Sequence, residues 1–179
     1  MKIITNQSSP RKTPFAPQWC YHIGYEFIKN VNFKKVAQII LKKEKQILKE
    51  FSPSTKSSVD GYTGLGKKSL TSRYEHFNIF LWKEKEIQQL KKHVLDFHSR
   101  FLKEINIEGL SDFHLRGWAN VMRKGEQIKA HLHSAQPTSY LSGHICVQCQ
   151  ETSTYYINSV NQLNEPYLIW TIKALFKSD

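Results

Sequence analysis

The feature that most constrains the fold is a change of hydrophobic period part-way along the chain. Over residues 34–51 and 84–104, apolar side chains recur at the spacing of amphipathic helices. After Gly109 they alternate with polar residues, as they do in β-strands. Helices followed by strands predict an α+β fold in which helices flank an antiparallel sheet.

Two amphipathic helices are predicted, over residues 34–51 and 84–104. Lysines fill the polar face of the first helix, and Ser52-Pro53 ends it. A short strand is predicted between the two helices, over residues 77–82. The predicted inner face of the second helix consists of apolar residues at helical spacing: Ile87, Leu90, Val94, Phe97 and Phe101.

Four successive strands are predicted in the second half of the chain, where apolar and polar residues alternate. Gly125 marks a turn between the first two, and residues 134–137 mark the next turn. The predicted strands cover residues 113–123, 127–133, 140–148 and 153–157.

The domain organisation follows from these elements. Residues 1–20 are polar and punctuated by prolines, which predicts an extended N-terminal arm. Residues 21–158 are predicted to form one domain, with a helical part over 34–104 and a β part over 113–158. The tail at 159–179 is atypical, because it has too few apolar residues for more than one strand or a short helix. A sheet that stopped there would have an open edge, so the domain is predicted to be incomplete at its C-terminus.

Composition and charge narrow the function classes. Hydrophobic residues make up 40% of the chain and charged residues 23%, a globular composition. No apolar run reaches the roughly 20 residues of a membrane helix, and no signal-peptide core is present. The chain is therefore predicted to be cytoplasmic, without a membrane partner.

The net charge of +11 lies in the first part of the chain, because residues 105–179 are balanced. Such a basic surface could contact nucleic acid through its phosphates. Most of these lysines, however, fall on the polar faces of the predicted helices. Nucleic-acid binding is therefore not predicted as the main role.

Three cysteines are too few and too odd in number for a disulfide scaffold. Cys146 and Cys149 have the two-residue spacing of zinc or redox pairs. Residues i and i+3 of a strand point to opposite faces, so packing cysteines are predicted instead.

The clearest candidate for chemistry is His131-Leu132-His133, which ends a predicted strand. Residues i and i+2 of a strand share a face, so both imidazoles could reach one metal ion. Imidazole suits iron, nickel, zinc and copper, and a surface or packing pair is the alternative. A third donor is open: His144 lies on the next predicted strand, and Glu126 and Glu151 are the nearby carboxylates.

Three stretches carry a resemblance to a known family. They are residues 117–125 (Gly-Trp-Ala-Asn-Val-Met-Arg-Lys-Gly), the His131-Leu132-His133 motif, and residues 140–147 (Tyr-Leu-Ser-Gly-His-Ile-Cys-Val). Together they resemble the 2-oxoglutarate/Fe(II)-dependent oxygenase superfamily, and within it the oxygenases of tailed phages and marine bacteria. Residues 60–66 and 69–73, in the loop between the two predicted helices, also resemble the loop before the core in that group.

The resemblance implies a double-stranded β-helix, a jelly-roll or cupin-like barrel, braced here by the two amphipathic helices. It implies Fe(II) and 2-oxoglutarate as cofactors of a dioxygenase that hydroxylates a protein side chain or a small molecule. Its setting would be cytoplasmic, including the cytoplasm of a phage-infected host cell.

The resemblance also gives expectations for single residues. His131 matches the first metal-ligand position, and His133 stands where the superfamily usually has an aspartate. Asn120 and Tyr140 are expected to contact the co-substrate. The distal segment of the family, with a second metal histidine and an arginine for 2-oxoglutarate, has no counterpart. The chain is therefore expected to be a truncated or inactive member, and no catalytic residue is assigned.

Two alternatives stay open. The spacing of Gly125, His131 and His133 resembles the opening of the cupin signature, although Gln136 stands near the place of its glutamate. This favours a cupin-like metal-binding protein without 2-oxoglutarate chemistry. The other alternative is a non-catalytic binding or structural protein whose basic helices contact polyanions.

Overall fold

Two long helices and three pairs of strands make up the regular structure. A computed structural model describes residues 1–8, 10–16, 18–51, 70–71, 78–108, 112–126, 128, 139–149, 154–156 and 170–172. The helices are α1 (Phe33–Phe51) and α2 (Lys85–Glu104). The strands are β1 (Lys2–Gln7), β2 (Cys20–Tyr25), β3 (Leu70–Thr71), β4 (Asn120–Val121), β5 (Thr154–Tyr156) and β6 (Trp170–Ile172).

Both predicted helices are present, and each begins within one residue of its predicted start. Asn32 precedes α1, and its side-chain Oδ1 accepts a hydrogen bond from the backbone N–H of Lys35 at 3.0 Å. This cap satisfies one of the donors that the first turn leaves free. Among the described residues, no helix has both the length and the apolar character needed to cross a membrane.

The core lies between the two helices. Val36 of α1 and Ile87 and Leu90 of α2 are almost completely buried. Ala119 joins the same cluster from the segment before β4. The inner face predicted for α2 is confirmed at Ile87, Leu90 and Phe101, because periodicity of 3.6 residues directs these side chains to one side.

The first residues of the chain are more ordered than the predicted extended arm. β1 pairs with β2 in an antiparallel hairpin whose register runs from Lys2 opposite Tyr25 to Gln7 opposite Cys20. The hairpin lies directly on α2, because a Cβ at Gly24 would fall 2.6 Å from the Phe101 ring. Backbone pairing with β2 and the close approach to α2 therefore give regular structure to part of the predicted arm.

The strand predicted over residues 77–82 is wrong, because residues Ile79–Leu81 form a single 3-10 turn. Asn78 caps the turn by accepting a hydrogen bond from the N–H of Phe80 at 3.1 Å. Ile79 and Phe80 are both buried. Successive side chains of a strand point to opposite faces, whereas a tight turn buries two neighbours on one side.

The predicted strand 113–123 is much shorter in the structure. Only β4 within it is a strand, and β4 pairs antiparallel with β3, so that Asn120 lies opposite Thr71. Asn78 holds the backbone before β4 against the 3-10 turn, so those residues do not extend the strand ladder. The predicted strand 127–133 lies almost wholly outside the described residues.

The predicted strand 140–148 is also corrected, since its described residues form no strand. Ile145 and Val147 nevertheless pack against the core between the helices. The alternation of apolar residues is thus satisfied by side-chain packing without backbone pairing.

The third strand pair joins the last predicted strand to the C-terminal tail. β5 lies within the predicted strand 153–157, and β6, in the tail 159–179, pairs with it antiparallel. The described residues therefore form three two-stranded sheets. The double-stranded β-helix stays a prediction.

A charged cluster fastens the hairpin to α2. Arg100 donates two hydrogen bonds to the Glu26 carboxylate, at 2.9 and 2.6 Å. The Nε2 atom of His93 lies 2.8 Å from Oε1 of Glu26, and the Met1 ammonium lies 3.3 Å from Oε2. The Glu26 side chain is only 14% exposed. The hydrogen bonds from Arg100, more than any other contact, lower the pKa of Glu26 to about 2.

We predict that Glu26→Gln destabilises the fold by about 2 kcal/mol at neutral pH, because it removes a charge-assisted pair and leaves Arg100 without its carboxylate. The folded-state pKa of Glu26 lies below its ordinary value of 4.5. Its contribution to stability is therefore complete above that value and is lost as pH falls towards 2. Urea denaturation from pH 2 to pH 7 measures both effects.

Glu108→Gln is the matched control for this prediction, since Glu108 is exposed and surface substitutions change stability by less than about 0.5 kcal/mol. Equal stability and equal pH dependence of the two variants would contradict the assigned role of Glu26.

Candidate metal and co-substrate site

Asn120 is positioned by the residues on either side of it. Ala119 is buried in the core, and the half-buried Val121 packs against the same cluster. Asn120 itself is exposed, on β4 opposite Thr71. Because neighbouring strand residues face opposite ways, burial of Ala119 and Val121 turns the Asn120 amide outwards. The predicted co-substrate residue is therefore accessible.

Asn78 holds the backbone that leads into β4. Its Nδ2 donates to the carbonyl of Leu115 at 2.8 Å, and its Oδ1 accepts from the N–H of Gly117 at 3.1 Å. The N–H of Ile79 donates to the Gly117 carbonyl at 2.8 Å. A side chain at Gly117 would collide with the ring of Phe80, so this close approach requires glycine. Asn78 could not be singled out from sequence, because Leu115 and Gly117 lie almost forty residues further along the chain.

The turn predicted at Gly125 is present. Gly125 has a φ of +86°, in the left-handed region that favours glycine, and the Glu126 N–H donates to the Arg123 carbonyl at 3.0 Å. The Glu126 carboxylate in turn accepts from the Arg123 N–H at 2.6 Å. Arg123 also pairs with Glu44 of α1, at 2.6 Å. Glu126, one of the two carboxylates considered as a third metal ligand, is thus occupied in closing the turn.

Tyr140 contacts α2 through a histidine that the sequence analysis did not single out. A hydrogen bond of 2.7 Å joins the Tyr140 hydroxyl to Nε2 of His98. The His98 ring also packs against Phe113, with 4.4 Å between the ring centroids. The available signal was that His98 follows Val94 by four residues, which places it beside the inner stripe of α2.

Both members of this pair are shifted towards their neutral forms. Desolvation lowers the pKa of His98 and raises the pKa of Tyr140. Among the residues that the structure describes, Nδ1 of His98 is buried without a hydrogen-bond partner, which adds to the cost of charging this ring. The hydrogen bonds and ring contacts described for Tyr140 thus join it to α2 and not to Asn120.

His131 and His133 lie outside the described residues, so their geometry stays a prediction. His144 is described and is an exposed residue. Protein atoms around its ring nevertheless desolvate it, which lowers its pKa and favours the neutral imidazole that a metal requires. Within the described ranges, no three His, Cys, Asp or Glu side chains come together in a way that could hold a metal ion.

The backbone around the C-x-x-C pair does not form the predicted strand. It bends at Val147 and Gln148, between Cys146 and Cys149. Burial, followed by the neighbouring Cys149, raises the pKa of Cys146 to about 11. The argument that the two side chains point to opposite faces of a strand therefore does not apply, and both cysteines are free and partly buried.

In comparisons with known proteins, no family model, no curated protein and no solved structure matches this chain.

The contact between Tyr140 and His98 generates a testable prediction. We expect Tyr140→Phe and His98→Leu each to destabilise the fold, and the two changes to be non-additive by about 1 kcal/mol, because they remove the same hydrogen bond. A double-mutant cycle by urea denaturation at pH 7 measures the coupling.

Tyr140→Phe combined with His114→Leu is the matched control, because His114 is exposed and the hydrogen bond and ring contact described for Tyr140 are both with His98. Its two changes should be additive. Additive effects of Tyr140→Phe and His98→Leu would contradict the hydrogen bond.

Proposed function

We propose that the chain is an Fe(II)- and 2-oxoglutarate-dependent oxygenase whose metal is held by His131 and His133. The observation that carries the proposal is the His131-Leu132-His133 motif, which comes in the sequence shortly after the chain reversal at Gly125. In the sequence, the motif lies between this reversal and a segment that packs on the core. Two histidines in that position fit a metal site at the mouth of a barrel.

The donor set is chemically suited to Fe(II). Two neutral imidazoles are ligands that iron accepts, and oxygenase sites of this kind leave further positions open for the co-substrate and dioxygen. We assign the third donor to His144, because it lies on the segment that packs on the core through Ile145, and desolvation lowers the pKa of its ring. Glu126 is a poorer donor, since its carboxylate closes the turn. When bound, Fe(II) would supply activation of dioxygen.

The protein residues would orient the co-substrate. Asn120 presents an exposed amide on β4, and an amide can donate to and accept from a carboxylate-bearing molecule. Tyr140 would first have to exchange its hydrogen bond with His98. We therefore assign the co-substrate contact to Asn120 before Tyr140. The substrate to be hydroxylated is a protein side chain or a small molecule.

An anaerobic Fe(II) titration of the full chain, with and without 2-oxoglutarate, tests the proposal. We predict one tightly bound Fe(II) whose affinity 2-oxoglutarate increases. His131→Ala or His133→Ala should weaken binding by at least about tenfold, because each removes a donor from the metal. Succinate formed on admission of air reports turnover of the co-substrate.

His114→Ala is the matched control, since it removes an exposed histidine on a different segment. An equal loss of iron in this variant, or no specific binding by the folded wild type, would refute the proposal. Binding that depends on His131 but ignores 2-oxoglutarate would favour the cupin-like alternative.

A second candidate function rests on the exposed side of α1. Lys35 pairs with Glu86 at 3.1 Å and Lys43 with Glu84 at 2.8 Å, so these two lysines join the helices. Three other lysines of α1 are exposed and could meet the phosphates of a nucleic acid: Lys34, Lys42 and Lys45.

If this surface binds nucleic acid, replacing these three lysines with glutamine should weaken binding to single-stranded DNA and reduce its dependence on salt, because fewer counterions are released. Fluorescence anisotropy at several salt concentrations measures both. His131→Ala should bind DNA like the wild type. Equal salt dependence of the lysine variant and the wild type would contradict this function.

A further inference from the structure

The hairpin of β1 and β2 carries two metal-binding side chains that the proposed iron site does not use. Cys20 and His22 are both exposed and lie two residues apart on β2. Residues i and i+2 of a strand share a face, so the two side chains point the same way. Sγ of Cys20 lies 3.7 Å from Nε2 of His22. A soft donor and an imidazole donor are therefore neighbours in the folded chain.

The ring of His22 is held from the opposite strand. Thr5 lies opposite His22 in the hairpin register, and its Oγ1 is 3.0 Å from Nδ1 of the ring. When Nδ1 carries the proton and donates it to the Thr5 hydroxyl, Nε2 keeps the lone pair that a metal ion needs. Metal-binding histidines are oriented in this way by a partner of the second ring nitrogen. The Thr5 hydroxyl thus directs Nε2 towards Cys20.

The hairpin itself is fixed, which keeps the two donors in place. Gly24 lies on the same face of β2 as Cys20 and His22, and its close approach to Phe101 seats that face on α2. Towards the start of β2 the same face leaves this contact, and both donor residues are exposed there. Every residue of β2 is paired with β1. The pair is therefore held by the backbone ladder and open to solvent.

The separation of the two donor atoms matches one edge of a zinc coordination tetrahedron. With a Zn–S bond of about 2.3 Å and a Zn–N bond of about 2.0 Å at the tetrahedral angle, the sulfur and the nitrogen stand about 3.6 Å apart. Sγ of Cys20 and Nε2 of His22 stand 3.7 Å apart. A zinc ion can therefore take the place of the thiol proton with little movement of either side chain.

We propose that Cys20 and His22 chelate one Zn(II) ion, with Thr5 as the residue that positions the histidine. The thiol S–H bond breaks and its proton goes to solvent, a Zn–S bond forms, and Nε2 donates its lone pair to the same ion. No electron is transferred. Within the described ranges, no third His, Cys, Asp or Glu joins the pair, and water would complete the coordination. Such a site binds zinc more weakly than a structural site with four protein donors.

A cobalt titration of the full, reduced chain tests the proposal. Co(II) accepts the donors of zinc sites, and a cobalt–thiolate bond gives a charge-transfer band in the near ultraviolet. We expect the band to saturate at one Co(II) per chain and to disappear when excess Zn(II) displaces the cobalt. Cys20→Ser should remove the band, and His22→Ala should weaken Co(II) binding by at least about tenfold. Cobalt in the proposed iron site would not contribute, because that site has no cysteine.

Thr5→Val and Thr5→Ser are the matched variants for the positioning residue. Thr5→Val keeps the size of the side chain but removes the hydroxyl, so it should weaken Co(II) binding about tenfold, whereas Thr5→Ser should bind like the wild type. Cys149→Ser removes a different thiol and should keep the band. Circular dichroism confirms that each variant is folded. An undiminished band in Cys20→Ser, or equal Co(II) affinities of the two Thr5 variants, would overturn the proposal.

Discussion

The arrangement of the N-terminal half of the chain depends on the contacts between the Glu26 carboxylate and α2. A two-stranded hairpin is only marginally stable in water, so β1 and β2 need a surface to rest on. The inner side of α2 provides that surface at Phe101, and Arg100, one residue away, donates twice to Glu26. Apolar contact and charge pairing therefore act at the same place. α2 in turn buries Ile87 and Leu90 against α1, so the hairpin stabilises a helix that contributes to the central core.

The helical core also controls where the candidate chemistry lies. Asn78, between the helices, bonds to the backbone that leads into β4. β4 carries Asn120, and the turn at Gly125 follows it. Arg123 ties that turn back to α1 through Glu44. Residues 115–123 are thus fixed to the helical part of the chain at two points, and such pre-organisation is what the proposed metal site would require of the backbone that leads to it.

The two helices could be predicted from sequence because periodicity is local and requires no knowledge of partners. The structure of residues 77–82 could not be predicted from local periodicity, because Asn78 hydrogen-bonds to Leu115 and Gly117, which lie 37 and 39 positions further along the chain. The pair of Arg100 and Glu26 spans 74 positions. Ile145 and Val147 pack inward, which satisfies the alternating pattern over residues 140–148, but alternation does not reveal whether the backbone has a pairing partner. The argument about the cysteine side chains failed for the same reason, because it assumed a strand.

The segment over residues 139–149 is attached to the helical part of the chain on both sides of His144. Tyr140 joins it to α2 through His98, and Ile145 packs against the core between the helices. The backbone at His144 is therefore restrained from both directions. This restraint is what a third donor to the proposed iron site would require, because a ligand that is already held in place loses less conformational freedom when the metal binds.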